Sequence, residues 1–571
     1  MNKQVFYRME TRATNIQSTS IPIPPDFPVK WESPNDANFF WEQERLHFPE
    51  QTTAMDLSLL MQPVCAGFNK VAETYDVPVT WYCRHINTYI YKAMVPKKSP
   101  LDKAQWTQEQ INEVIAAVGV RWKNEWLPEI KTYLADWEAY NLKGATMQAL
   151  LEQLNETEKR QHRLWEIHFL LVSPSRLAIT LFSEMYQELF SDASPSESYE
   201  LLSGFENRMV ESNKILWELS RQASASPTVR KIISENAADE VVAQLAESEE
   251  GKTFLAKLNN YLQEYGKRTD KFRFNYPSWS ELPTPVIQNL KGYIMSPDER
   301  DVIADMKKIG AQREEKINKA RERLQNYPGP IRAQFELLLK AAQIGSILGE
   351  EHPDWLEFQP LYYTRQLLLE LGHRLVDAGA FNQQDDVFYL SIEELRETLA
   401  TPSSPLNRRT LVNERRVCEK QFSVGTPPPK LGTLPAGPPP AHPLVKAGAK
   451  FMGTPPPVSE YPNELKGHTG SGGIAQGTAK IVRVLEETKK LKPGDILVTE
   501  TTIPSWTPLF ATIAGVVTDT GGTLSHAAVI AREYGIPAVV GTVKATRMIQ
   551  EGQTIEVNGD VGQVRIISNG K

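Results

Sequence analysis

The sequence predicts a multidomain protein, a mainly α-helical region followed by a compact α/β (β/β/α) module, on three observations. From about Asn38 to about Ala400, apolar residues recur three and four positions apart between charged ones. After Thr426 three triple-proline clusters interrupt the chain. Beyond about Lys466 the apolar period shortens to two, in β-branched runs separated by Gly, Pro and Asp.

The elements follow in order. Residues 21–37, IPIPPDFPVKWESPNDA, are proline-rich and read as irregular. NKVAETY, EQINEVIAAVGVRWKNEWLPEIKTYLADW and ERDVIADMKKIGAQREEKINKARERLQNY carry helical spacing. Ser173-Pro174, Ser194-Pro195 and Tyr327-Pro328-Gly329-Pro330 read as loops between helices. Asp298–Gln325, dense in alternating charge, reads as a solvated long helix. TPPPKLGTLPAGPPPAHPLVKAGAKFMGTPPP offers little to bury and reads as an extended linker with a reach of several tens of ångströms, at about 3.1 Å per residue. AKIVRV, DILVTE, AGVVTD, PAVVGT, TIEVNG and QVRIIS read as strands, interrupted by one helix from Leu524 to Tyr534. The divisions are thus 1–425, 426–465 and 466–571.

Composition narrows the class. A chain of 571 residues holds three or four units at about 150 residues each. With 41% hydrophobic and 23% charged residues it has ample core material. A net charge of −7 leaves no basic footprint for nucleic acid or anionic membrane. No apolar run is long enough to span a bilayer, and the first fifteen residues carry no secretory pattern. Cys65, Cys83 and Cys418 lie far apart, without a disulfide framework, and read as structural. A cytoplasmic location is expected.

The chemistry concentrates in TDTGGTLSHAAVIAREYGIPAVVG, residues 518–541. A buried strand runs into Gly521-Gly522, whose missing side chains permit a tight turn. Thr523 is placed as N-cap and His526 in the first helical turn. Its imidazole then hangs over unpaired backbone N–H groups at the positive end of the helix dipole, a setting suited to phosphate. Gly521, Gly522, Thr523 and Ser525 form the expected cradle. Gly535 ends the helix. Imidazole attacks phosphorus readily and leaves it readily, so His526 is suited to relay a phosphoryl group. Zinc at His526 is disfavoured, since no second His or Cys lies at ligand spacing, and no metal site is expected.

This segment resembles the phosphohistidine mobile, or swivelling, domain of the phosphoenolpyruvate-utilising enzymes. The likeness extends through GSGGIAQGTAKIV, PGDILVTE and PSWTPLF. It implies that His526 is the phosphorylated histidine. Leu524, where many members carry Thr, resembles the branch acting on organic acceptors. FFWEQERLHFPEQTTAMDLSL, INTYIYKAM, EEHPDWLEF, RQLLLELGHRL and DDVFYLSIEEL resemble, less specifically, the acceptor-binding parts of rifampicin phosphotransferase and of the large subunit of phenylphosphate synthase. The helical region does not read as an ATP-grasp fold. GHTGSGGIAQG lacks the Gly-Lys-Ser/Thr of a phosphate loop and reads as the entry to a strand.

The resemblance implies an acceptor-binding domain over 1–425, a swivel linker over 426–465 and the phosphohistidine domain over 466–571. An ATP-grasp subunit acting in trans, holding ATP and Mg²⁺, would charge His526, and the acceptor would be the hydroxyl of a phenol or alkylphenol. Two other readings remain: a rifampicin-type antibiotic phosphotransferase component, and a non-enzymatic phosphocarrier. Acceptor chemistry needs a base and cations for the phosphoryl oxygens. His352, among the carboxylates of Glu350-Glu351-His352-Pro353-Asp354, His47 beside Arg45, and Arg365 behind two tyrosines are the candidates. Arg84, Tyr89 and Tyr91 form an alternating run read as a strand lining the acceptor pocket.

Overall fold

The computed structural model describes residues 19–97, 106–295, 302–400 and 406–568, apart from 424, 436, 438, 439, 484 and 503. The N-terminal residues read for a signal, the start of the Asp298 helix and Pro438-Pro439 lie outside the described residues.

A 43-residue helix, Met147–Leu189, is the axis of the helical region, capped by Thr146, whose Oγ1 accepts from the Ala149 N–H. It runs straight through Ser173-Pro174, where a loop is expected from the sequence. Proline here removes one ladder bond, but helix continues on both sides because Leu164, Leu171, Leu177 and Phe182 are wholly buried. The helix Gly329–Pro353 lies along it, and Gly345 makes the approach possible: a Cβ there would stand 3.0 Å from the Ser175 carbonyl oxygen. Helices Gln62–Thr74, Leu127–Ala139 and Gln359–Asp377 complete a first core around Trp126, Ile130 and Leu368.

The helical region also holds a four-stranded antiparallel sheet, in the order β2-β3-β1-β4: β1 Phe40–Gln43, β2 Val79–Ile86, β3 Tyr89–Pro96 and β4 Lys430–Gly432. The run holding Arg84, Tyr89 and Tyr91 is therefore not one strand. Asn87 and Thr88, both with positive φ, turn it into a hairpin.

Residues 426–465, read from the sequence as an extended swivel linker with little to bury, are partly packed in the docked arrangement. Leu431 pairs with Trp41 and is wholly buried, and the helix Pro443–Met452 buries Leu444 and Ala447 in a core shared with the 43-residue helix. Proline clusters favour extended chain, and an edge strand accepts such chain readily. The apolar residues between them supply the anchor. Further on, Val458 and Tyr461 are exposed.

The C-terminal module is one eight-stranded sheet, ordered β5-β12-β11-β7-β8-β9-β10-β6. Its strands are β5 Glu464–Lys466, β6 His468–Ser471, β7 Ile474–Ile481, β8 Ile496–Thr499, β9 Gly515–Thr518, β10 Ala538–Val540, β11 Thr554–Asn558 and β12 Gln563–Ser568. β7 to β10 are parallel and the flanking strands antiparallel. β8, β9 and β10 are buried on both faces, as parallel strands require. The helix His526–Glu533 crosses from β9 to β10. Its Ala527, Ala528, Ile530 and Ala531 share one core with Trp217, Leu258, Ile287 and Tyr293 of the helices between Arg208 and Met295. The module is thus docked on the helical region, with its histidine facing inward.

Candidate active site

The turn before His526 differs in detail from its sequence reading. The N-cap is Ser525 and not Thr523, and His526 is the first residue of the helix. Thr523 lies too early for the cap, and its Oγ1 is 3.3 Å from the Tyr199 hydroxyl. Gly521, at φ +91°, turns the chain. Gly522 lets the end of the Pro443–Met452 helix approach: its N–H donates to the Phe451 carbonyl at 2.9 Å, and a Cβ would fall 2.0 Å from the Lys450 carbonyl oxygen. Gly521, Gly522 and Thr523 therefore serve turn and docking, and do not line the cavity. Ser525 does line it, with a buried Oγ that has no hydrogen-bond partner among the described residues. Gly535, at φ +62°, ends the helix as expected.

His526 reaches across the domain boundary. Its Nδ1 is 3.4 Å from Oε2 of Glu350, on the Gly329–Pro353 helix, and its Nε2 is 3.4 Å from the Thr507 hydroxyl of its own module. A carboxylate beside Nδ1 favours the proton there and leaves the lone pair on Nε2.

The histidine faces a cavity of about 950 Å³ between the module and the helical region. Its walls are largely apolar and aromatic, with Phe68 stacked on Trp81 at 3.8 Å and Trp165 and Phe169 nearby. Polar groups interrupt them, and one set clusters. His168, His352 and Glu357 converge, their ligand atoms within 4.8 Å of one another. Burial takes His168 down to about 4. Burial works against ionisation of Glu357, yet His168 and His352 together hold its carboxyl well below the usual range. Arg176 also faces the cavity. Its guanidinium lies 3.6 Å over the Phe451 ring and makes no hydrogen bond or ion pair among the described residues. Burial lowers it to about 10, so it stays charged at neutral pH.

Of the sequence candidates, His526, His352 and His47 line this cavity. The carboxylate beside His352 is Glu357, at 3.4 Å, and not Asp354, which is paired with Arg208 and Arg268. His47 Nδ1 is 3.2 Å from Glu44, whose carboxyl is held at about 2, against the effect of burial, by the histidine's charge and hydrogen bonds. Arg365 does not reach the cavity: it pairs with Glu281 at 3.1 Å and donates to the Phe274 carbonyl. Arg84 is taken up by Asp36 and Glu32, and the Tyr89 and Tyr91 hydroxyls donate to the carbonyls of Phe422 and Pro428. Arg84, Tyr89 and Tyr91 tie the small sheet to its neighbouring segments, and none of the four lines the cavity. Cys65, Cys83 and Cys418 are free, the first two buried.

His168, Arg176 and Glu357 have no signal in the sequence. His168 and Arg176 come from one face of the long helix, two turns apart, but 184 residues separate His168 from His352, and only the packing of the two long helices joins them.

Comparison with known proteins agrees with this geometry. Residues 491–562 match the mobile domain of the PEP-utilising enzymes, and residues 168–348 match the fourth domain of rifampicin phosphotransferase. The chain belongs to the PEP-utilising enzyme family. It is similar to a chondramide synthase of Chondromyces crocatus, 38% identical over 563 residues, covering 96% of this chain and 14% of that one. It is also similar to an uncharacterized phosphotransferase of Bacillus subtilis, 30% identical over 74% of this chain and 50% of the relative. The rifampicin phosphotransferase of the same organism is 30% identical over 57% of this chain and 36% of its own length. The chain thus spans half or less of the length of these relatives. Among the described residues, no helix is long and apolar enough to cross a membrane.

Proposed function

We propose that this chain is the acceptor-binding and phosphohistidine part of an ATP-dependent phosphotransferase. An ATP-grasp polypeptide in trans would hold ATP and Mg²⁺ and charge His526, and the module would then dock as described here. The observation that carries this reading is the placement of His526 on a large, mainly apolar cavity that also holds a half-buried cation, Arg176, with no ion pair among the described residues.

The residues divide the work. Glu350 orients the imidazole through Nδ1. Arg176 holds phosphoryl oxygens in a site of low dielectric, where a fixed cation is worth most. The His168–Glu357–His352 cluster activates the acceptor hydroxyl. As the new O–P bond forms, the N–P bond of phospho-His526 breaks and its electron pair returns to the ring. The hydroxyl proton passes to the nitrogen so freed. The tight aromatic walls favour an aromatic hydroxyl, a phenol or alkylphenol.

A second reading has its own support. A volume near 950 Å³ is at the top of the roughly 300–1,000 Å³ range of drug-sized sites, which favours a polycyclic or long-substituted acceptor of the rifamycin kind. The test is co-incubation of the chain with an ATP-grasp polypeptide, ATP and Mg²⁺ against a panel of phenols, alkylphenols and polycyclic hydroxyaromatics. ATP-dependent appearance of an aryl phosphate supports the reading. Charged His526 with no transfer to any member would leave a phosphocarrier instead.

A further inference from the structure

The His168–Glu357–His352 cluster has the geometry of a metal site. His168 Nδ1 and His352 Nε2 stand 3.2 and 3.4 Å from one oxygen, Oε1 of Glu357. In a tetrahedral site with bonds of about 2.0–2.1 Å, neighbouring ligand atoms lie about 3.3 Å apart. The two imidazole rings stand 4.9 Å apart at 65°.

The hydrogen bonding points the same way. Nδ1 of His352 lies 2.8 Å from the Leu348 carbonyl, which only accepts, so the ring proton sits on Nδ1. Nε2 is left presenting a lone pair to a carboxylate oxygen. His168 Nδ1 is buried, and the group nearest it among the described residues is the same carboxylate, at 3.2 Å and poorly aligned for a hydrogen bond. Two imidazole nitrogens converge on one carboxylate oxygen at separations that a cation seated between them would also give, so the same three groups can exchange their mutual contacts for a shared ion. The backbone contact of His352 is the outer partner that metal-binding imidazoles regularly have.

We propose that His168, His352 and Glu357 bind one Zn²⁺, leaving a fourth coordination position open to the cavity. Two imidazoles and one carboxylate are a donor set suited to zinc, and three protein ligands with an open position are the catalytic arrangement. One carboxylate leaves the centre with a net positive charge, which favours a deprotonated acceptor oxygen and faces the anionic phosphoryl group on His526. This role rests on the phosphotransfer reading, but metal binding itself does not.

The test therefore reads the metal without phosphoryl donor or acceptor. The full chain is stripped with chelator, then titrated with Zn²⁺ calorimetrically, and separately with Co²⁺ while the visible spectrum is recorded. One equivalent should bind tightly, and Co²⁺ should give the intense absorption of a four-coordinate centre. His168→Ala and Glu357→Gln should each weaken Zn²⁺ binding by at least about 100-fold, while His373→Ala, at an exposed histidine, should bind as the parent does. Should both site variants fail to fold, the parent's Co²⁺ spectrum decides alone. No binding of either ion by the parent overturns the site, as does unchanged affinity in folded variants. A protein that binds Zn²⁺ yet never transfers phosphate from His526 would keep the metal site and sink the phosphotransfer reading.

Discussion

Replacing Glu533 with Gln should make the docked protein more stable at alkaline pH. Glu533 closes the helix that carries His526, and its Oε2 accepts from the Gly204 N–H of the helical region at 2.8 Å. Burial, opposed in part by that hydrogen bond, raises its carboxyl from 4.5 to about 7. A raised acid binds its proton more tightly folded than unfolded, so stability falls as pH rises between those two values. The penalty is absent below about 4.5 and fully developed above about 7. At about 1.4 kcal/mol per pH unit, that span bounds the cost near 3 kcal/mol. Gln keeps an acceptor for Gly204 without the charge. Arg532, buried beside it and donating to the Gly470 carbonyl at 2.7 Å, then loses some counter-charge, so the observed gain should be smaller. Urea unfolding at pH 5 and pH 8.5 is the assay: the variant should match the parent at the lower pH and exceed it by about 1–3 kcal/mol at the higher. Equal stability at pH 8.5, or a gain confined to pH 5, would refute the reasoning.

Three further outcomes follow from the same structure. Arg176→Met, which keeps the apolar stem, should slow phosphoryl transfer to the acceptor by about 100-fold or more while His526 is charged at the normal rate, read by following the two half-reactions separately. Leu431→Asp should cost about 3 kcal/mol, because β4 is buried against Trp41, and should open residues 426–465 to protease; an unchanged melting temperature would restore the free linker. The chain incubated alone with ATP and Mg²⁺ should gain no phosphate by intact-mass analysis, whereas rapid self-phosphorylation would place nucleotide chemistry in the helical region.

The sequence showed the parts whose signal is local. The six β-branched runs, the turn at Gly521 and the end at Gly535 depend on neighbours a few residues away, and His526 is recognisable from its own segment. Two kinds of feature were hidden. Ser173-Pro174 looked like a break because propensity is local, while the packing that carries a helix through proline is tertiary. The proline segment looked unburied because its few apolar residues are diluted, yet Leu431 alone anchors a strand. In the site, charge misled: in the sequence Arg365 and Arg84 look no different from Arg176, but each meets carboxylates, Glu281 in one case and Asp36 and Glu32 in the other, that lie far away in sequence. Only position leaves Arg176 facing the cavity with no ion pair among the described residues.

The most direct test of the phosphohistidine relay is a single turnover. The chain is charged by an ATP-grasp polypeptide with ATP and Mg²⁺, freed of nucleotide, and mixed with the hydroxylated aromatic that gives product in the panel. Intact-mass analysis should show one acid-labile phosphate, absent from His526→Ala, that disappears as one equivalent of aryl phosphate forms. A phosphorylated His526→Ala protein, or a phosphate that stays on the chain while product accumulates, would contradict the account.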